Sequence, residues 1–198
     1  MNAEELDKVS VLFNHAEAKL KLIERLHSQE LVVPSVNELR YAGFHIIQAL
    51  SAPSPETEKE NWQRAANHCK RAIYDALEVG VLDRLEAFKQ FEIDYRLVEI
   101  PLIIPSYIDL RTVARKAQQL IADLENIEAY KDRDRYYQDI ENHFNELNDA
   151  VDKITDARPE LNKILNNRRK QFYLILVGIA ATIFAGLLSV ILPLYLLG

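Results

Sequence analysis

The longest uncharged stretch of the chain, from Phe172 to Leu197, limits the folds that are open to it. Apolar runs of eighteen or more residues without charge are typical of transmembrane helices. At about 1.5 Å per residue, the segment from Phe172 to Leu192 is roughly 31 Å long, which matches the hydrocarbon thickness of a bilayer. The stretch therefore predicts a membrane-spanning helix over 172–197 in place of a helix buried in a soluble core.

Charged residues flank this stretch unequally. Arg168, Arg169 and Lys170 precede it, and only Gly198 follows it. Basic residues beside a membrane helix favour the cytoplasmic side, and the acidic amino terminus has no apolar core of a signal peptide. We therefore expect a tail-anchored, single-pass protein of the inner (cytoplasmic) membrane. Its predicted parts are a cytosolic helical bundle (1–158), a basic juxtamembrane helix (159–171) and the transmembrane helix (172–197).

Small side chains share one face of the predicted membrane helix. At 100° per residue they fall within an arc of about 140°, and such a face lets two helices approach closely. Self-association is one interpretation, and a face that makes no contact is the other. The members of this small-residue face are Gly178, Ala181, Thr182, Ala185, Gly186 and Ser189.

Composition and periodicity indicate an all-α, multi-helix bundle with a single C-terminal transmembrane helix. Glycine is scarce, and no alternating strand pattern is bounded by hairpin turns. The net charge of -6 disfavours a broadly basic nucleic-acid surface. Cys69 is the only cysteine, and the acidic and histidine residues have no metal-ligand spacing, so we expect neither a metal nor a cofactor. The acidic and histidine positions tested for such spacing are Asp139, Glu141, His143 and Glu146.

The first half of the bundle divides into helices at its breakers. Apolar residues at steps of three and four predict helices over 3–28 and 36–50, the second opened by a capping box at Ser35–Glu38. Thr57–Glu60 has the same pattern and predicts a third helix, which should end at Gly80. The buried face of the second predicted helix consists of Leu39, Ala42, Gly43, Ile46, Ile47 and Leu50.

The second half continues with a fourth predicted helix over 82–98 and a buried connector at 101–105, which has a proline at each end. Two heptad-like seams over 106–158 predict two helices with a break near 131–134, and one continuous helix is the alternative. Pro159 suits the first turn of the last helix, which we expect to run unbroken into the bilayer.

Arg40 and His45 are separated by four residues on the second predicted helix, in an R-x4-H pattern. A histidine can move a proton near neutral pH, and an arginine can stabilise phosphate charge. The segments NELRYAGFHIIQAL and NHCKRAIYDALE resemble the HEPN superfamily of small helical domains, in whose active members two R-x4-6-H motifs meet across a dimer and cleave RNA without metal. The resemblance covers residues 1–130 at most and implies catalytic roles for Arg40 and His45. The alternative is a partly buried His45 and a surface cation at Arg40.

A second basic cluster lies on the third predicted helix. Arg64, His68 and Arg71 are spaced by four and three residues, so they can share a face. One interpretation is an anion- or nucleotide-binding pocket that faces Arg40 and His45, and an ordinary solvated face is the other.

The resemblance extends to the membrane-anchored HEPN-type accessory proteins of RNA-targeting CRISPR defence, which assemble into pores. We therefore expect a self-associating, membrane-perturbing or pore-forming effector of a bacterial defence system, and we favour this interpretation over an enzyme without excluding catalysis. Its expected partners are the lipid bilayer, copies of itself, and an RNA or nucleotide signal or a protein. Two further hypotheses stay open: a membrane-tethered ribonuclease that uses Arg40 and His45, and a non-catalytic membrane adaptor.

Overall fold

A computed structural model describes residues 3–124 and 133–196, with side chains over 3–122 and 139–187. These residues form α-helices and one 3₁₀ turn, and no strand occurs among them, so the predicted all-α fold is confirmed. The elements are α1 (Ala3–Leu26), α2 (Val33–Leu50), α3 (Pro55–Asp94), the 3₁₀ turn (Ile100–Leu102), α4 (Tyr107–Leu124), α5 (Arg133–Asp156) and α6 (Arg158–Leu196).

Helix α3 is the axis on which the other helices pack. It has 40 residues and is about 60 Å long. Its amino-terminal half forms an antiparallel hairpin with α2 through residues 51–54, and α1 packs beside this hairpin. Its carboxyl-terminal half contacts α4 and α5, which also contact each other. The predicted pair of helices between 106 and 158 is thus observed. Of the predicted break near 131–134, residues 131 and 132 lie outside the described residues, and Arg133 and Asp134 belong to α5.

The prediction that a helix ends at Gly80 is wrong, because α3 continues through this residue. Gly80 is buried where side chains of α1 and α5 pack against α3. A Cβ atom at this position would lie 2.5 Å from Ile23 Cδ1 and 2.9 Å from Phe144 Cε2. The glycine therefore serves close packing of three helices, and the predicted third and fourth helices are one.

The two predicted capping boxes are also wrong. Helix α2 begins at Val33, and Ser35 is fully buried in its first turn, where its hydroxyl donates to the Ala72 carbonyl oxygen at 2.7 Å. Helix α3 begins at Pro55, and its N-cap is Ser54, whose hydroxyl accepts a hydrogen bond from the Thr57 backbone N–H at 3.3 Å. Ser54 thus satisfies the orphan N–H of the third helical residue, and that residue is Thr57, the predicted N-cap itself.

The apolar face of α2 is only partly buried. Leu39 and Ala42 belong to the core, as predicted, whereas Ile47 is 62% exposed and Leu50 is 51% exposed. Phe44, on the same side, is 54% exposed. Helix α2 therefore presents an apolar stripe to solvent that the sequence pattern assigned to the core.

The connector between α3 and α4 is buried only in part. Ile100 and Ile104 enter the main core, but Leu102 between them is 76% exposed. Leu97, at the start of the connector, is 68% exposed. The two buried isoleucines hold the 3₁₀ turn against the bundle and leave the leucines outside.

Helix α6 begins in the bundle and then leaves it. Only Ala157 separates α5 from α6, and Pro159 lies in the first turn of α6, as predicted. Leu161 is buried and Leu165 packs against the core, whereas every described residue from 168 to 187 is exposed. The predicted unbroken run from the juxtamembrane segment into the apolar segment is confirmed up to Leu196.

Candidate functional site

The α2–α3 hairpin brings two rows of polar side chains together. Glu38, Tyr41 and His45 follow one another at steps of three and four on α2, and the α3 row repeats every seven residues. Both spacings place side chains on one face of a helix. We call the resulting cluster the polar seam, and its members are Glu38, Tyr41, His45, Asn61, His68 and Asp75.

The centre of the polar seam is a pair of stacked imidazoles. The rings of His45 and His68 have centroids 5.3 Å apart and planes inclined by 10°. His45 Nδ1 lies 2.9 Å from Asn61 Oδ1, and the Asn61 amide nitrogen donates to the Thr57 carbonyl oxygen at 2.9 Å. Because this second bond fixes the amide orientation, Nδ1 of His45 must be the donor to Asn61, and Nε2 of the neutral ring is left as an acceptor.

Glu38 orients the second imidazole. Its Oε2 lies 2.6 Å from His68 Nδ1, and the two side chains are 20% and 18% exposed. A carboxylate accepts hydrogen bonds only, so Nδ1 of His68 carries a proton. A carboxylate that holds one imidazole nitrogen and leaves the other available is the arrangement that general-base catalysis requires.

Asp75 closes the seam at its far end. Burial and, to a smaller extent, the negative charges of Glu38 and Glu78 together raise the pKa of this carboxyl to about 6, against the opposing charge of Arg71. The carboxyl therefore changes protonation in the same pH range as an ordinary histidine. The seam is a compact, half-buried set of proton-exchanging groups.

Arg40 reaches the seam through Tyr41. Its guanidinium carbon lies 4.7 Å from the centre of the Tyr41 ring, and that ring lies 5.5 Å from the His68 ring. The side chains thus form a row from Arg40 through Tyr41 and His68 to His45. A cation followed by flat rings can hold a phosphate and stack against a base.

The predicted basic cluster on α3 is divided by the structure. His68 joins His45 in the seam, whereas Arg64 pairs with Glu60 at 2.5 Å on the exposed side of the helix. Arg71 is exposed and acts on the seam through its charge near Asp75. Of the three residues predicted to face Arg40 and His45, His68 is the one that contacts His45.

Four members of the seam are absent from the sequence prediction: Glu38, Tyr41, Asn61 and Asp75. The seven-residue spacing of Asn61, His68 and Asp75 is a signal for a shared face that could have been found. The pairing of this face with Glu38 depends on the register of the α2–α3 hairpin, which the sequence pattern alone does not give. Within the described residues, no group of three potential ligands could hold a metal ion.

Helix α6 is the second candidate functional element. Among the described residues it is the one helix long and apolar enough to cross a membrane. On its small-residue face, Gly178 and Gly186 have open space where a Cβ would stand, and the Thr182 hydroxyl donates to the Gly178 carbonyl oxygen at 2.8 Å. Cys69 is buried, and burial raises the pKa of its thiol to about 11, so it is an unreactive core residue.

The polar seam lies far from the end of α3 that contacts α6. His68 precedes the end of α3 at Asp94 by 26 residues, which corresponds to about 39 Å along the helix axis.

Searches of known protein families, curated proteins and solved structures found no match to this chain.

Proposed function

We propose that this protein is a single-pass membrane effector. In this proposal α6 holds the helical bundle at the cytoplasmic face of the inner membrane. Copies of α6 associate with one another and perturb or permeabilise the bilayer. The observation that carries the proposal is the bare apolar surface of α6. Ten large apolar side chains between Phe172 and Leu187 are 46–72% exposed. With roughly 200 Å² for a fully exposed side chain, they present about 1,200 Å², and keeping that area in water costs about 30 kcal/mol.

The basic flank supports the orientation. Arg168, Arg169 and Lys170 are all exposed at the point where α6 leaves the bundle. Such residues favour the cytoplasmic side and attract anionic headgroups.

The small-residue face supports self-association. Open space over Gly178 and Gly186 lets a second helix approach the backbone closely. The Thr182 hydroxyl already has an acceptor within its own helix, so burial of this side chain leaves no unsatisfied donor on it. The single residue between α5 and α6 makes the bundle and the membrane helix one mechanical unit, so rearrangement of the bundles would move the membrane helices.

Dye release from vesicles tests this proposal. The full chain, reconstituted into anionic vesicles, should release a trapped dye, and Gly178→Ile with Gly186→Ile should abolish both the release and the detergent-stable oligomer. Leu176→Ile with Leu187→Ile is the matched control, because both residues lie opposite the small-residue face. Insertion without release would refute permeabilisation and leave a membrane adaptor or the tethered ribonuclease described next, and release from the glycine variant would refute association through this face.

The polar seam favours a second candidate, a membrane-tethered ribonuclease of the HEPN type. The supporting observation is that Asn61 and Glu38 each fix one imidazole with Nε2 left as an acceptor, beside the Arg40–Tyr41 pair. The test is cleavage of a labelled RNA by the full chain in EDTA. His45→Ala and His68→Ala should abolish cleavage, and Gln48→Ala, an exposed change on the same helix, should leave it intact. RNA that stays whole with the unmodified chain excludes this candidate.

A further inference from the structure

The end of α3 follows α6 toward the membrane through three successive contacts. Arg158 forms an ion pair with Asp94 at 3.1 Å, and the Tyr95 hydroxyl donates to Asn162 Oδ1 at 2.9 Å. Next, Arg168 donates to the carbonyl oxygen of Leu97. The three contacts on α6 thus extend from residue 158 to residue 168, about 15 Å along the helix. Their partners are the last residue of α3, Asp94, and residues 95 and 97 of the connector.

This order places the connector at the level of the bilayer surface that the proposed function implies. Arg168 lies four residues, or about 6 Å, before the first residue of the apolar segment, Phe172. The interfacial layer between water and hydrocarbon is about 5–7 Å thick on each side of a bilayer. Leu97 is therefore fixed within reach of the headgroups on the side of the basic flank.

The connector carries the side chains that an interfacial contact requires. Leu97 and Leu102 are 68% and 76% exposed, more than the other large apolar side chains of the connector. Arg96 is exposed beside Leu97 and adds to the positive charge of the flank. Exposed apolar side chains next to basic residues bind anionic membrane surfaces by insertion and by charge.

The connector is also rigid enough to present these leucines. Ile100 and Ile104 are buried on either side of Leu102, and the Leu102 and Ile103 backbone N–H groups donate to Glu99 and Ile100 carbonyl oxygens at 3.1 and 2.9 Å. Nothing in the described core receives Leu97 or Leu102, although apolar side chains at such exposure gain stability when they are covered. A bilayer surface at this level would cover both.

We propose that the connector is a second membrane contact of the protein, in which Leu97 and Leu102 insert into the interfacial layer of the bilayer that α6 crosses. This contact rests on the proposed membrane anchoring by α6. It fixes the tilt of the bundle on the membrane, because a single helix defines an axis and a second point of insertion defines an orientation about it.

Depth-dependent fluorescence quenching tests the contact in the full chain. Single cysteines that carry an environment-sensitive fluorophore are placed at Leu97, Leu102, Phe184 and Val11, in vesicles of phosphatidylcholine and phosphatidylglycerol. The native Cys69 is buried and stays unlabelled. Spin-labelled lipids, with the quencher either shallow or deep in the bilayer, report the depth of each fluorophore.

We expect a blue-shifted emission and strong quenching by the shallow lipid at Leu97→Cys and Leu102→Cys. Phe184→Cys should be quenched by the deep lipid, and Val11→Cys, which is 63% exposed on α1, should behave as in water. Quenching at Phe184 without quenching at the two leucines overturns the connector contact and leaves the anchor intact. Absence of quenching at Phe184 overturns the anchor and the contact together.

Discussion

Substitution of Gly80 tests the reason why α3 is a single helix. In Gly80→Ala the new Cβ would lie 2.5 Å from Ile23 Cδ1 and 2.9 Å from Phe144 Cε2, whereas carbon atoms in contact prefer about 3.5–4.0 Å. Both neighbours are buried, at 0% and 2% exposure, so they must move within a packed core. Overpacking of this kind costs about 1–3 kcal/mol, and alanine returns about 1 kcal/mol of helix propensity. We expect a net loss of about 1 kcal/mol in the free energy of unfolding.

Gly43→Ala is the matched control, because a Cβ at Gly43 meets no atom within 4 Å. In Gly43→Ala only the helix propensity changes, so this variant should be more stable than the native chain by about 0.5–1 kcal/mol. Ile23→Val removes the Cδ1 atom that the new Cβ approaches, so this change should cost less in the Gly80→Ala background than in the native chain. The assay is urea denaturation in mild detergent, followed by circular dichroism. Equal stability of the two glycine variants would refute the packing role of Gly80.

Two further perturbations test the hairpin and its polar seam. At pH 7.5 the native Asp75 carboxylate is charged, although its burial disfavours the charge. Asp75→Asn removes this cost and should raise the free energy of unfolding by about 1 kcal/mol, a value reduced for the partial exposure of Asp75. Because the folded pKa of about 6 lies above the ordinary 3.8, this gain in stability should decline as the pH falls through 6 and vanish below about 4. Urea midpoints across pH 4–8 measure the gain. A gain that grows toward acid pH would contradict the raised pKa of Asp75. Ser35→Ala should cost about 1 kcal/mol through loss of the bond to the Ala72 carbonyl, and Ser35→Asp should cost more because it buries a charge. Thermal melts of the two Ser35 variants decide between burial and an N-cap, since a true N-cap would accept aspartate.

The helical class and the long apolar helix near the carboxyl terminus could be predicted because both depend on local pattern. Steps of three and four residues identify an amphipathic helix wherever its partner lies, and the uncharged segment after Lys170 is defined by composition alone. The continuous α6 follows from the same local rules, with Pro159 in its first turn.

The errors fall where a contact distant in sequence outweighs the local signal. Glycine is a common helix terminator, but at Gly80 the approach of Ile23 and Phe144 makes it a packing residue inside a helix. Ser35 has the spacing of a capping box, yet its hydroxyl donates a hydrogen bond to the carbonyl oxygen of Ala72, 37 positions away. Ile47 has the spacing of a core residue on α2, but no helix of the described part of the chain covers it.

The polar seam illustrates the same limit at the candidate site. The sequence singled out His45 and His68 for separate reasons, and the structure stacks their rings. Their partners Glu38 and Asn61 carry no local signature, because their roles arise only when the register of the hairpin sets them opposite the two histidines. Whether these groups act on RNA is the question that the cleavage assay addresses.

Membrane topology tests the central claim most directly. Single cysteines are placed at Gln63, exposed on α3, and at Gly198, beyond the apolar segment, in the full chain with its buried Cys69. A membrane-impermeant maleimide is then applied to intact bacterial spheroplasts and to lysed ones. We predict that Gly198→Cys is labelled in intact spheroplasts and that Gln63→Cys is labelled only after lysis. Labelling of Gln63→Cys in intact spheroplasts, labelling of Gly198→Cys only after lysis, or recovery of the protein in the soluble fraction would contradict a bundle held at the cytoplasmic face by α6.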